Sequence, residues 1–155
     1  MDHYRAGRGA LDTRNFSAAL THFQTGLADG DLRCSYGLVA LAAMTGSPME
    51  EPTATLRESL PAIAARAERG DAEAGFILGR CYEMGCAVER SLPDAITWYL
   101  RSAAMGNADA MFNLGCIYMS LGPEAHRLAL DQFRQAAEHG SPEARLALAQ
   151  YPAKP

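Results

Sequence analysis

Apolar residues recur at spacings of three and four through most of this chain, and the pattern restarts around four glycines, Gly30, Gly70, Gly106 and Gly140. Eleven, seven and three positions before these glycines stand Ala19, Phe23 and Leu27, then Ser59, Ile63 and Ala67, then Ala95, Tyr99 and Ala103, and last Ala129, Phe133 and Ala137. Ten positions before them stand Leu20, Leu60, Ile96 and Leu130. Such spacings gather side chains on one face of a helix, and the alanines let a neighbouring helix come close. Beyond each glycine a second stripe begins. Four residues on come Cys34, Ala74, Ala110 and Ala144; eight on come Leu38, Leu78, Leu114 and Leu148; twelve on come Ala42, Tyr82 and Tyr118.

The junctions between stripes have their own chemistry. Glycine takes the left-handed conformation that closes a helix. The residue after it is Asp31, Asp71, Asn107 or Ser141, types that cap the free N–H groups of a following helix. Pro142 suits a first helical turn, where its missing donor costs nothing. The pattern predicts helices over about 3–12, 16–28, 31–45, 57–69, 71–84, 92–105, 107–120, 123–139 and 142–150. Ser47 to Thr53, with Pro48 and Pro52, reads as a loop that absorbs the extra residues of the first repeat. Pro61 is expected in a first turn or at a kink. Trp98 is expected in the core.

The repeat glycines lie 40, 36 and 34 residues apart, and each interval holds two amphipathic helices. A pair of helices cannot cover its own apolar face, so stacking must supply the core. The fold class predicted is all-α, a right-handed α/α solenoid of stacked antiparallel helix pairs. Its single domain spans 1–151, with an N-terminal half unit at 1–30, units at about 31–70, 71–106 and 107–140, and a capping helix at 141–151. Residues 152–155 are expected to form a loose tail.

The residues that carry the repeat resemble a known family. Ala74-Gly75-Phe76-Ile77-Leu78-Gly79-Arg80-Cys81-Tyr82-Glu83-Met84-Gly85, the later run Asp94-Ala95-Ile96-Thr97-Trp98-Tyr99, and Ala110-Met111-Phe112-Asn113-Leu114-Gly115 are similar to the Sel1-like repeat, a relative of the tetratricopeptide repeat. The resemblance is strong from Asp71 to Gly140 and weaker before Gly70. Gly85-Cys86-Ala87-Val88 stands where the family has a G-x-G-V turn. Ser120-Leu121-Gly122-Pro123 departs further, so that loop is expected to differ in shape. The resemblance implies a protein-interaction adaptor or scaffold with no cofactor.

Composition adds exclusions. Nearly half the 155 residues are apolar, which supports a real core. A net charge of −4 offers no basic footprint for nucleic acid. The longest apolar run, Gly37 to Met44, is far short of the ~18 residues a membrane helix needs. The first residues lack the basic and apolar regions of a signal peptide, so the expected compartment is the cytoplasm, with reduced thiols.

Neither catalytic nor metal chemistry is apparent. Cys81 and Cys86 are five residues apart, no histidine follows at ligand spacing, and Cys34 and Cys116 fall beside core positions. Small buried or half-buried thiols are the expectation, and the regular cysteine spacing of some secreted Sel1-like proteins is missing. His3, His22, His126 and His139 lie in four separate segments. No nucleophile elbow, phosphate loop or H-E-x-x-H motif occurs, so no catalytic, cofactor-binding or metal-binding residue is assigned.

What remains is the concave side, which the first helix of each pair lines in a solenoid. Six residues past the repeat glycine stand Tyr36, Phe76, Phe112 and Leu146, and three past it Arg33, Glu73, Asp109 and Glu143. Arg80, Glu83 and Met119 stand further along the same helices. The candidate site is therefore a groove of Arg33, Tyr36, Glu73, Phe76, Arg80, Glu83, Asp109, Phe112 and Met119. It suits a partner segment with apolar anchors and some Lys or Arg. Packing between successive helices accounts for the aromatic column equally well. The alternatives are a small helical-repeat chaperone for an exported protein and a cysteine-based metal- or redox-responsive protein.

Overall fold

The computed structural model describes residues 1–151; the expected tail at 152–155 lies outside the described residues. The chain is helical, in the order α1 (His3–Asp12), α2 (Phe16–Ala28), α3 (Arg33–Thr45), α4 (Glu50–Glu68), α5 (Ala72–Met84), α6 (Leu92–Ala104), α7 (Ala108–Ser120), α8 (His126–Glu138) and α9 (Pro142–Gln150), with a short 3-10 turn over Pro123–Ala125 before α8. Each helix packs against the next in sequence, and α1 also reaches α3, α3 reaches α5, and α5 reaches α7. This is an all-α solenoid whose first helices stack along one side.

The junctions follow the sequence closely. Gly30, Gly70, Gly106 and Gly140 all have left-handed backbones, with φ of 85°, 90°, 86° and 98°. At each one the next residue's N–H donates to the carbonyl five positions back, at Gly26, Arg66, Ser102 and Ala136, the bond that closes a helix around a left-handed residue. Asp71, Asn107 and Ser141 then cap α5, α7 and α9 through Ala74, Ala110 and Ala144. The junction after Gly30 differs. Asp31 accepts from the Arg33 N–H and guanidinium, the cap position passes to Leu32, and α3 starts later than expected.

The repeat columns locate the core. Phe23, Ile63, Tyr99 and Phe133 are buried, as are Cys34, Ala74, Ala110 and Ala144. One apolar cluster runs from α1 to α7, and a second joins α7, α8 and α9. The column ten before each glycine is different: Leu60, Ile96 and Leu130 are half-buried and Leu20 is exposed. These residues sit at seams between the second helices of successive pairs.

Two expectations are corrected and a third is narrowed. Of the loop expected over Ser47 to Thr53, only Ser47 to Met49 is non-helical, and Glu50 to Thr53 are helix. The loop is short, and the extra residues of the first repeat lengthen α4 to 19 residues against 13 for α2, α6 and α8. Glu50, Glu51 and Pro52 all fit a first turn, and the extra residues 50–55 precede fully buried Leu56, which holds the register of Phe16 in α2 and Leu92 in α6. For Pro61 the first-turn placement is excluded and the kink placement stands: it lies inside α4, where the Arg57 carbonyl lacks its usual donor. Trp98 is half-buried at the seam with α4, with the Arg101 guanidinium 5.0 Å from its ring centre.

Candidate partner-binding groove

The five first helices α1, α3, α5, α7 and α9 enclose one pocket of about 320 Å³ on the concave side. Its floor carries Tyr36, Phe76 and Phe112, one from each of three stacked helices, which is the column expected from the repeat. Tyr36 and Phe76 are buried, and Phe112 is half-buried with its ring 5.6 Å from that of Phe133. Packing therefore occupies most of the column. The apolar side chain left open at the pocket is Met44, which is 51% exposed.

Arg8 of α1 explains the cover. Its guanidinium lies 5.6 Å from the centre of the Phe76 ring, reaches Asp109 of α7 at 2.6 Å, and lies 3.4 Å from Glu73 of α5. The side chain thus crosses the inside of the curve from the first helix to the third and fourth of the stack. On its far side lies a second concavity of about 420 Å³, lined by Glu73, Asn107 and His139 among others. Tyr4, Arg8, Asp12 and Asp109 line both spaces, and the Arg8–Asp109 ion pair is part of the partition between them. Burial pushes the Glu73 carboxyl above its ordinary range against the pull of Arg8, and nearby Asp109 adds to the rise. The buried Tyr4 hydroxyl beside this partition has no hydrogen-bond partner among the described residues.

Arg80 and Glu83 belong to a polar chain that joins four helices. Arg80 Nε donates to the Tyr36 hydroxyl at 3.1 Å, and its Nη1 donates to Glu83 Oε2 at 3.0 Å. The Tyr99 hydroxyl donates to the same Glu83 oxygen at 2.6 Å, and Asn113 Nδ2 donates to Tyr99 at 3.4 Å. The chain holds α3, α5, α6 and α7 in register. Burial, then the Glu83 acceptor, drive the Tyr99 hydroxyl far above its ordinary range, so it remains a donor.

Of the nine residues named from sequence, the pocket gathers Tyr36, Phe76, Arg80, Asp109 and Phe112. Glu73 lines the adjoining concavity. Arg33, Glu83 and Met119 do not line the pocket. Arg33 pairs with Asp31 and Asp2 and lies 5.3 Å from the centre of the Tyr4 ring. Met119 packs on the second core cluster, and Leu146, the fourth member of the column, is 67% exposed. The sequence reading missed Tyr4, Arg8 and Met44. The first two lie in the half unit that precedes the repeat, so no register pointed to them.

The four cysteines are free. Burial pushes the Cys34 and Cys81 thiols up to about 12, which leaves little thiolate at neutral pH. Cys116 is exposed and Cys86 half-buried. Among the described residues, no group of three or more His, Cys, Asp or Glu side chains is placed to hold a metal ion. No helix among them is long and apolar enough to cross a membrane.

No family model matches the chain. Two curated relatives, the DAP3-binding cell death enhancer 1 proteins of Rattus norvegicus and Mus musculus, are 39% and 33% identical to it over 69 residues. The matches take in 43% and 44% of this chain but 14% of each relative, so the chain spans about a seventh of their length. Among solved structures, a Sel1 repeat protein from Oxalobacter formigenes aligns over 93% of this chain and 57% of its own, at 24% identity and a TM-score of 0.55. The protective antigen c5321 of uropathogenic Escherichia coli, which displays an SLR fold, aligns over 83% of this chain and 27% of its own, at 20% identity and a TM-score of 0.55. The fold is that of the Sel1-like repeat proteins.

Proposed function

We propose that this Sel1-like repeat solenoid is an adaptor that holds a segment of another protein on its concave side, without turnover or cofactor. The observation that carries the reading is the pocket walled by five successive first helices, with an aromatic floor and the open Met44 side chain at its edge. A partner's apolar side chain would seat beside Met44 and Phe112. Asp12 and Glu143, which line the same pocket and have no ion-pair partner among the described residues, would receive a flanking Lys or Arg. The fold supports an interaction role, and the relatives named above are called DAP3-binding. The compartment proposed is the cytoplasm, where free thiols stay reduced.

Affinity capture from the native host tests this with two exposed variants, Met44→Glu and Glu143→Lys. Arg80 and Glu83 are unsuitable for the purpose, because changing them breaks the polar chain between helices. A partner retained by the parent chain and lost from both variants is the expected result. A partner retained equally by all three moves the binding surface elsewhere.

A further inference from the structure

A second surface, on a different side of the solenoid, is larger than the concave pocket. Helices α2 and α4 both pack on α3, and between them lies a groove of about 630 Å³ with Leu38 and Leu41 in its floor and Phe16 and Leu20 on one wall. Leu20 is 39% exposed there. The opposite wall is the extension of α4, which the other second helices lack.

The repeat register explains why the groove is open. One unit further along, the equivalent seam between α4 and α6 over α5 is narrowed to about 250 Å³, with Tyr82 and Trp98 among its lining residues. Tyr82 stands twelve positions after its glycine and Trp98 eight before the next, and at those positions the first unit has Ala42 and Ala62. The two rings of the second seam are thus replaced by methyl groups in the first. Of the two alanines, Ala42 lines the groove, and the α4 extension forms its opposite wall.

The charge on that wall selects the occupant. Glu50 and Glu51 line the groove from the first turn of α4, neither forms an ion pair among the described residues, and no Lys or Arg lines the groove. We propose that the groove between α2 and α4 docks an amphipathic helix of a partner protein, its apolar stripe on Leu20, Leu38 and Leu41 and its Lys or Arg residues against Glu50 and Glu51. Two flanking helices over a third leave a channel of helical shape, and an i, i+4, i+7 stripe matches such a floor. This surface is separate from the concave pocket, so either can fail without the other.

The probe is a synthetic peptide of about 18 residues, five helical turns. It carries leucines at i, i+4 and i+7 spacing, flanked by lysines. One control peptide replaces every lysine by glutamate, and another scatters the leucines round the helix. Amide spectra of the full chain labelled with nitrogen-15 should show shifts confined to Leu20, Leu41, Thr45, Thr55 and their neighbours, with the lysine peptide alone. Leu20→Glu should abolish them, and the exposed pair Glu50→Lys, Glu51→Lys should weaken binding about five- to tenfold without touching the core. Shifts on the concave helices, equal binding of a control peptide, or indifference to both variants would overturn the proposal. So would concentration-dependent shifts of these amides in the free chain that Leu20→Glu removes, since the occupant would then be a second copy.

Discussion

The ring of Tyr99 occupies the space where a β-carbon on Gly79 would stand. Phe133 and Gly115 repeat the relationship one unit on, and Phe23 is seated in the same way against Gly7 and Gly37. The register makes this a rule of the stack: a ring seven before one repeat glycine faces a glycine nine after the previous one. Where Ile63 replaces the ring, Val39 replaces the glycine. Gly79→Ala should therefore cost about 1–3 kcal/mol in urea unfolding, because the Tyr99 ring must shift and strain its bond to Glu83. Gly9→Ala has the opposite expectation. Nothing lies within 4 Å of a β-carbon there, and the helix gains up to about 1 kcal/mol.

Ala87 is one of two non-glycine residues with a positive φ among the described residues, at 64°, in the turn between α5 and α6. It stands where a second turn glycine is expected from the family pattern. A left-handed backbone costs an L-residue roughly 1 kcal/mol, so Ala87→Gly should raise the melting temperature by a few degrees. No gain would mean that the Ala87 methyl, which packs on the core, offsets the strain.

Two carboxylates at the start of α5 should respond to pH with opposite signs. Burial works against the Asp71 carboxylate, but the Ala74 N–H and Arg66 outweigh it and hold the group below its ordinary 3.8. Its contribution is present above that value and lost as pH falls through the lower folded pKa. Glu73 is raised above its ordinary 4.5, chiefly by burial. Its contribution is present below that value and lost as pH rises through the higher folded pKa, so ionised Glu73 is a cost at neutral pH. Asp71→Ala should lose about 1 kcal/mol at pH 7 and progressively less in acid. Glu73→Gln should raise the melting temperature at pH 7 and leave it unchanged near pH 3. Parallel pH profiles for the two variants would contradict this.

A double-mutant cycle on Arg8→Met and Asp109→Asn should give a coupling of about 0.5–1 kcal/mol, modest because both side chains are more than one-third exposed. Arg8→Met should also join the two concave pockets. Additive effects would show that the partition does not hold the curve.

The helices and their junctions were legible because they depend on residues three to eleven apart. The groove was only partly legible, because it depends on curvature. Arg8 meets Glu73 across 65 residues of sequence. No helical period carries a signal over that distance, and Arg8 precedes the repeat. Phe76 lies under Arg8 and the Tyr36 hydroxyl is held by Arg80, and neither cover can be read from the aromatic column itself. The extension of α4 was missed because two prolines suggest a loop, although Pro52 sits in a helical first turn at no cost. Trp98 follows the repeat spacing but falls at a seam rather than inside a pair.

The most direct test of the adaptor reading is a photo-cross-linking amino acid placed at Met44, with a second chain carrying it at Gln135 on the exposed face of α8. Irradiation in the native host should join the Met44 chain to one protein and leave the Gln135 chain free. Adducts from Gln135 alone, or from neither position, would contradict a partner held on the concave side.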